Sequence, residues 1–507
     1  MIAQAENLVN SSNPPAAPGA VPIRGNGPWL TKPRAVWALC ILFALSLPLA
    51  NPYVHGDGVG YYAYARALLI QHDLNFEQDW LRANQGFAQA RVGADGRLSP
   101  DEYTETGHIN NYFTIGPAIL WSPFLASAHV AVLISRMLGA SIPADGFSWP
   151  YRMAMAVGTV GVGFLSLLLS YALVSEYVES QWAFLATLGI WTASALPVYM
   201  YFNPSWSHAH SAFVVALFLW FWNRSRPERT LGQWIVLGLC GGLMITTYFP
   251  NGVLLVIPLL ESLGHYFHSL RTRNIASALL LLCRHAAFAA TLLLALLPTF
   301  VTRAIVFGSP FRFGNYGSLP WDWSAPHRWE VLFSSNHGLL SWTPLLALAV
   351  AGLFFANGRG AMISAYCGIA ALAFYYVIAS YPYWDGMASF SNRFFVSLSP
   401  IFILGLAQLL QFIGRSLPRR AGTLAASSLL AIAALWNAGF IFQWGTQMIP
   451  ARGTISWKEV AQNQFIAVPE RLSGEVDRYL FRRNTAMQSI EVKDLQRRSS
   501  EARNPQP

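Results

Sequence analysis

The sequence predicts an all-α fold, a polytopic bundle of transmembrane helices, and three observations carry that expectation. The chain is 54% hydrophobic and only 11% charged over 507 residues, whereas soluble domains hold roughly 25% charged residues. Apolar stretches close to the ~20 residues demanded by a ~30 Å hydrocarbon core recur along most of the length. The polar segments between them fall into two kinds that alternate from Asn223 onward, as a membrane topology requires.

The apolar segments run, each to within several residues, over 35–51, 113–138, 153–174, 182–201, 208–222, 231–248, 251–263, 286–302, 338–356, 361–380, 394–413 and 421–442. One kind of connection is short and basic, as in "NRSRPERT" (223–230), "HSLRTRN" (268–274), "NGRG" (357–360) and "GRSLPRR" (414–420). The excess of arginine assigns these loops to the cytoplasm. The other kind is longer and rich in aromatics, Gly, Asn and His: 51–112, "YFNPSWSHAH" (201–210), a late loop over 303–337, and "SYPYWDGMASFSNRF" (380–394). These share the outer side, and eleven or twelve spans result. Counting back from Asn223 makes segment 113–138 cross the wrong way, so a half-inserted or re-entrant element is expected there.

Residues 1–34 are Pro-, Ala-, Asn- and Gly-rich, lack the apolar core of a signal peptide, and read as a disordered cytoplasmic tail. The membrane domain is expected over 35–443, with 444–507 an extracytoplasmic C-terminal tail, in part disordered. The net charge of +9 rests almost wholly on arginine, lysine occurring only at Lys32, Lys458 and Lys493. In a membrane protein this balance points to cytoplasmic loops and anionic headgroups. No basic stripe on a soluble module suggests nucleic acid. Cys40, Cys240, Cys283 and Cys367 are scattered singly through apolar stretches and form neither a CxxC motif nor a disulfide framework. No internal repeat is visible.

Loop 51–112 is too long for a passive connector. It opens with "NPYVHGDGVGYYAYARALLI", in which Asp57 stands between Gly56 and Gly58 just beyond the first span. The glycines leave the backbone free to take positive φ and to approach a ligand closely. The following "YYAYARALLI" reads as an amphipathic helix lying on the membrane surface, with Tyr61, Leu68 and Leu69 on one face. Glu77, Asp79, Glu102, Glu105 and His108 add further polar groups before the next span.

Taken in order, "GDGVGYYAYARALLIQHDLNFEQDW", "NNYFTIGPAILWSPF" and "SNRFFVSLSP" resemble the bacterial polytopic glycosyltransferases of the GT-C superfamily, relatives of protein O-mannosyltransferases and aminoarabinose transferases. The resemblance covers about residues 35–410 and is strongest in the first 125. It implies a GT-C-type helix bundle with surface-lying helices in the first outer loop and a sugar donor linked to polyprenyl phosphate. It also implies a first-loop carboxylate, here Asp57, that activates the acceptor or holds a metal; a divalent cation, Mg²⁺ or Mn²⁺, is compatible with it. The family often carries an Asp-Glu pair where this chain has Asp57-Gly58. Where relatives place a charged residue before Pro-Pro, this chain has "NNYFTIGP".

Cleaving a sugar–phosphate bond beside lipid requires cations for the departing phosphate, and arginine supplies a fixed charge with paired donors. The candidates are Arg393 in "SFSNRFF", Arg312 in "SPFRFGNYG" and Arg303 near a span end, with His337 in "SSNHGLLSW". Substrate-lining candidates are His55, Tyr61, Tyr62, His108, His208, His210 and Asp385. The i, i+2 spacing of His208 and His210 directs the rings to different helix faces and argues against a two-histidine metal site. Trp321, Trp323, Trp329 and Trp384 suit either sugar stacking or an interfacial belt.

The expected activity is transfer of a sugar from a polyprenyl-phosphate donor to a glycan, lipid or protein acceptor. Asp57 would be general base or metal ligand, and the expected setting is the outer face of a bacterial inner membrane. A flippase of lipid-linked saccharide would favour internal repeats and ionisable residues at mid-membrane, and here Arg284 and His285 are the main such pair. A polymerase or ligase of lipid-linked glycans shares the substrate class and would concentrate its residues in a late outer loop such as 303–337.

Overall fold

In the computed structural model, residues 33–84, 87, 91–93, 95–226, 228–314 and 319–503 are described; nearly all of the expected N-terminal tail lies outside them. The helices used below are α1 (Pro33–Ser46), α2 (Gly58–Arg66), α3 (Glu77–Leu81), α4 (Gly116–Met137), α5 (Trp149–Val174), α6 (Ser180–Thr192), α7 (His208–Arg224) and α8 (Leu231–Thr247). They continue with α9 (Val256–Arg271), α10 (Ile275–Phe307), α11 (Leu345–Gly352), α12 (Arg359–Ala379), α13 (Ser399–Ser416), α14 (Arg419–Gly445), α15 (Trp457–Gln462), α16 (Val468–Phe481) and α17 (Arg483–Arg503). Among the described residues there is no strand, only the isolated bridges Val92–Leu98 and Tyr103–Ile109.

Among the described residues, seven helical stretches are long and apolar enough to cross a membrane: α4, α5, Phe249–Arg271, α10, α12, Arg393–Ser416 and α14. Other expected spans are shorter apolar helices, such as Pro33–Leu49, Leu231–Thr247 and Leu345–Phe355. Their starts follow local chemistry. Thr230 and Gln233 form a capping box on α8, with Thr230 Oγ1 accepting from Gln233 N and Gln233 Oε1 from Thr230 N. Asn274 caps α10 in the same manner. Helix contacts rest on small residues. Gly352 of α11 and Gly405 of α13 approach so closely that a Cβ on the first would lie 1.9 Å from the second's carbonyl oxygen. Residues on α13 are buried along most of its length, so it forms the axis of the bundle.

The two kinds of loop segregate. At one end Glu261 accepts from Arg226 Nε at 2.5 Å and Arg229 Nη1 at 2.8 Å, while Arg415 pairs with Glu179 at 3.5 Å. At the other end Asn51 meets the carbonyl of Phe202, Thr114 donates to Thr247 O, and Arg303 donates to Tyr112 O. Segment 113–138 contains one continuous helix, α4, with Pro123 inside it. Before α4, Thr114 and Gly116 adjoin Thr247 at the end of α8, and beyond α4 Tyr62 donates to Gly146 O while Arg82 pairs with Asp145, so the far flank meets the first loop again. The chain thus leaves the outer end at α4 and is back beside loop 51–112 when α5 begins, which accounts for the parity of the later spans.

The helix expected after Asp57 forms as α2, and it is packed inside the protein. Every residue of α2 is buried. Tyr61 packs edge-on to Phe113, Tyr62 to Trp121 and Tyr64 to Phe76, so the tyrosines are a packed layer against α4. The acids of the loop serve the same purpose. Arg66 grips Asp79 through two nitrogens, Nε at 2.7 Å from Oδ1, and both side chains are buried. Burial pushes the Asp79 carboxyl up to about 6, with Arg66 pulling in the opposite direction. Glu102 accepts from Trp80 Nε1 and lies beside Arg91. In the tail, residues 457–503 form α15, a single turn over 463–467, α16 and α17.

Removing one partner of a buried ion pair strands the other. Arg66→Ala is expected to cost about 3–5 kcal/mol of stability, and Arg66→Met combined with Asp79→Leu to recover most of it. Thermal unfolding of the detergent-solubilised protein distinguishes the two.

Candidate functional site

A large cleft of about 860 Å³ lies at the end of the bundle that carries the aromatic loops. Its polar part is built by the first loop, by the turn before α7 and by the start of the Arg393–Ser416 helix. Gly56 takes φ +54°, a conformation that suits glycine, and its N–H donates to Asn84 Oδ1 at 3.2 Å. Asp57 follows at the N-cap of α2, yet its side chain makes no capping bond. The carboxylate instead turns into the cleft and accepts from Arg393 Nη1 at 2.7 Å. It remains 35% exposed while the Arg393 side chain is 10% exposed.

Arg393 is held from several sides. Its guanidinium lies over the Trp206 ring at 4.5 Å. The Trp206 indole N–H donates to His55 O at 3.0 Å, which ties the arginine's platform to the residues that carry Asp57. The preceding turn includes Gly386, Met387 and Ser391, all at positive φ, and Asn392 donates to Trp384 O. Among the described residues no acceptor meets Arg393 Nε. The pair is therefore a fixed cation with donors to spare beside an accessible carboxylate.

The other candidate residues divide sharply. His55 lines the cleft, its Nε2 3.0 Å from Asn203 Oδ1. Tyr61 and Tyr62 are buried in the packed layer already described. His208 sits beneath the site against Tyr199 at 4.7 Å, and His210 points elsewhere, edge-on to Trp121 at 4.8 Å. His108 meets Thr106 in the turn of a β-bridge, away from the cleft. Asp385 accepts from Asn336 Nδ2 and Met387 N and shapes the turn before Arg393 without lining the cleft.

Three expected phosphate ligands lie outside the cleft. Arg303 is buried, donating to Tyr112 O and Arg312 O and flanked by Phe249, Phe307 and Phe313, so it braces two loops. Arg312 makes a two-pronged pair with Glu105 at 2.8 and 3.1 Å on the exposed surface, which lowers the Glu105 carboxyl. His337 is buried against Trp342, and burial pushes its imidazole down to about 4, leaving it uncharged at neutral pH. Trp321 and Trp323 stack on one another; neither they nor Trp329 and Trp384 line the cleft.

Asp57 Oδ2 accepts from the Arg393 guanidinium, and among the described residues no three His, Cys, Asp or Glu side chains converge. This donor set does not fit a resident Mg²⁺ or Mn²⁺. The sequence pattern alone did not expose Asn84, Arg91, Tyr112, Asn203 and Trp206, nor the tail residues that complete the wall. Trp206 had a signal, standing in the aromatic outer segment "NPSWSH". The tail is clasped to the end of the first apolar segment by Tyr479 Oη donating to Leu49 O and Arg483 to Pro48 O, and to the first loop by Tyr53 Oη donating to Glu491 Oε2.

No family model and no curated protein matches this chain. Similar solved structures include the archaeal oligosaccharyltransferase AglB from Archaeoglobus fulgidus in complex with an inhibitory peptide and a dolichol-phosphate, at 15% identity and TM-score 0.47 over 87% of this chain. Another is the Archaeoglobus fulgidus oligosaccharyltransferase in complex with Zn and sulfate, at 16% identity and TM-score 0.47 over 81% of this chain. ArnT from Cupriavidus metallidurans in the apo state is a third, at 14% identity and TM-score 0.43 over 85% of this chain. This chain spans 55% of the length of each oligosaccharyltransferase chain and 75% of that of ArnT.

The tight seat of the first loop is testable. A Cβ at Gly58 would stand 2.0 Å from Ser205 Oγ and 2.5 Å from Ser205 Cβ. Gly58→Ala is expected to lower stability by about 1–3 kcal/mol through overpacking. Ser205→Gly in the same chain should restore most of it, as read by thermal unfolding of single and double variants.

Proposed function

We propose that the protein is an integral-membrane glycosyltransferase that moves a sugar from a polyprenyl-phosphate-linked donor to an acceptor hydroxyl at the extracytoplasmic face of a bacterial inner membrane. The observation that carries the reading is the 2.7 Å contact between Asp57 and Arg393 inside a cleft with a polar and an apolar part. The pair sets a base beside a phosphate-binding cation, the two groups required by a transfer that takes a proton and releases an anion. The concentration of this chemistry at one end of the bundle favours one-sided catalysis over alternating access.

In the reaction, an acceptor oxygen attacks the anomeric carbon as the carbon–oxygen bond to phosphate breaks. Asp57 takes the acceptor's proton, and the phosphate leaves with the bonding pair. Arg393, backed by Trp206, meets the added charge through donors that Asp57 does not use. Attack from the face opposite the phosphate inverts the anomeric centre. His55 and Asn84 are placed to contact sugar or acceptor hydroxyls. No step is routed through a metal ion.

The test is sugar transfer from radiolabelled polyprenyl-phosphate sugars by purified protein, with and without EDTA. Asp57→Asn is expected to lower turnover by about 10²–10⁴-fold and Arg393→Ala by about 10²–10³-fold, each assayed with elution profiles preserved and below the lowered unfolding transition that loss of the ion pair entails. Chelation is expected to leave the rate of the parent protein unchanged. Undiminished turnover by Asp57→Asn would remove the assignment.

A further inference from the structure

The apolar part of the cleft belongs to α14 and α16, and its form is specific. Val468, Leu472, Val476 and Leu480 recur every four residues along α16, and all four line the cleft. At 1.5 Å per residue this stripe is about 18 Å long. Leu435 and Phe442 of α14 face the same space. Leu435 is 73% exposed on a helix long and apolar enough to cross a membrane, so the trough is open on its lipid side.

The depth of the trough follows from hydrogen bonds. Gln464 Nε2 donates to the carbonyls of Leu435 and Trp436. Leu435 precedes Gly445, the outer end of α14, by ten residues, or about 15 Å along the helix. The turn over 463–467 therefore hangs well below the outer end of α14, and it presents Phe465 and Ile466 outward, 75% and 60% exposed. From there α16 runs back to Leu49, where Tyr479 is anchored.

We propose that this trough is the binding site for the isoprenoid chain of the donor, which enters sideways from the outer leaflet and lies between α14 and α16 with its phosphate toward Arg393. The proposal rests on the transferase reading for the identity of the occupant. Three features support it: apolar side chains line the whole stripe, the open side faces lipid, and the same cleft holds a buried cation with unused donors. The C-terminal helices are thus a substrate-binding element of the protein.

The experiment uses the full-length protein in lipid nanodiscs and a polyprenyl phosphate carrying a diazirine in its chain. Irradiation is expected to label residues 435–445 and 468–480, as mapped by mass spectrometry. Unlabelled polyprenyl phosphate should suppress that labelling and phosphatidylglycerol should not. Val476→Trp, which leaves Asp57 and Arg393 untouched, should weaken probe binding roughly tenfold. Labelling elsewhere, or equal competition by phosphatidylglycerol, overturns the proposal; the wild-type labelling decides the matter if the variant fails to fold. Labelling of the trough without sugar transfer would uphold the site and sink the transferase reading, and transfer with labelling elsewhere would do the reverse.

Discussion

A carboxylate and a guanidinium 336 residues apart in the chain meet at the outer end of the bundle, and the surrounding structure serves to hold them there. An arginine so enclosed is costly unless its charge is answered. Asp57 answers it from one side and the face of Trp206 from another. Because Trp206 also bonds the backbone at His55, the two halves of the pair share a support and cannot drift independently. The left-handed turn at Gly56, the Ser205 contact at Gly58 and the strained turn before Arg393 are local consequences of that arrangement.

The bundle was legible in the sequence because lipid imposes a coarse rule. Each apolar stretch from 35–51 to 421–442 contains a helix, and the arginine-rich and aromatic loops collect at opposite ends. The turn at Asp57 was legible for a local reason: a glycine before an acid just beyond a span leaves the backbone free to take positive φ, as Gly56 does at +54°. What the pattern did not reveal was the choice among equivalent side chains. Arg303, Arg312 and Arg393 look alike in sequence, but Arg303 is spent on carbonyls, Arg312 on Glu105, and only Arg393 reaches the cleft. The tyrosine run after Asp57 has a helical period that fits a surface helix as well as a buried one. Packing against α4 decides in favour of the buried form.

The tail shows the same limitation more strongly. Residues 444–507 are too polar to announce a span, and composition alone suggests a solvated extension. Their order comes from long-range contacts that no local pattern encodes: Tyr479 and Arg483 to the end of the first helix, Gln464 to exposed carbonyls of α14. The four-residue spacing from Val468 to Leu480 was a readable signal of an apolar helix face.

The exposed flank of Leu435 has a consequence for how the protein encounters its surroundings. A molecule that reaches the cleft through this flank never leaves the bilayer, so its search is confined to two dimensions. The quantity that governs occupancy is then its mole fraction among neighbouring lipids rather than its amount per volume of water. Dilution of the aqueous phase would leave the site's saturation untouched, while a change in the lipid mixture would alter it directly.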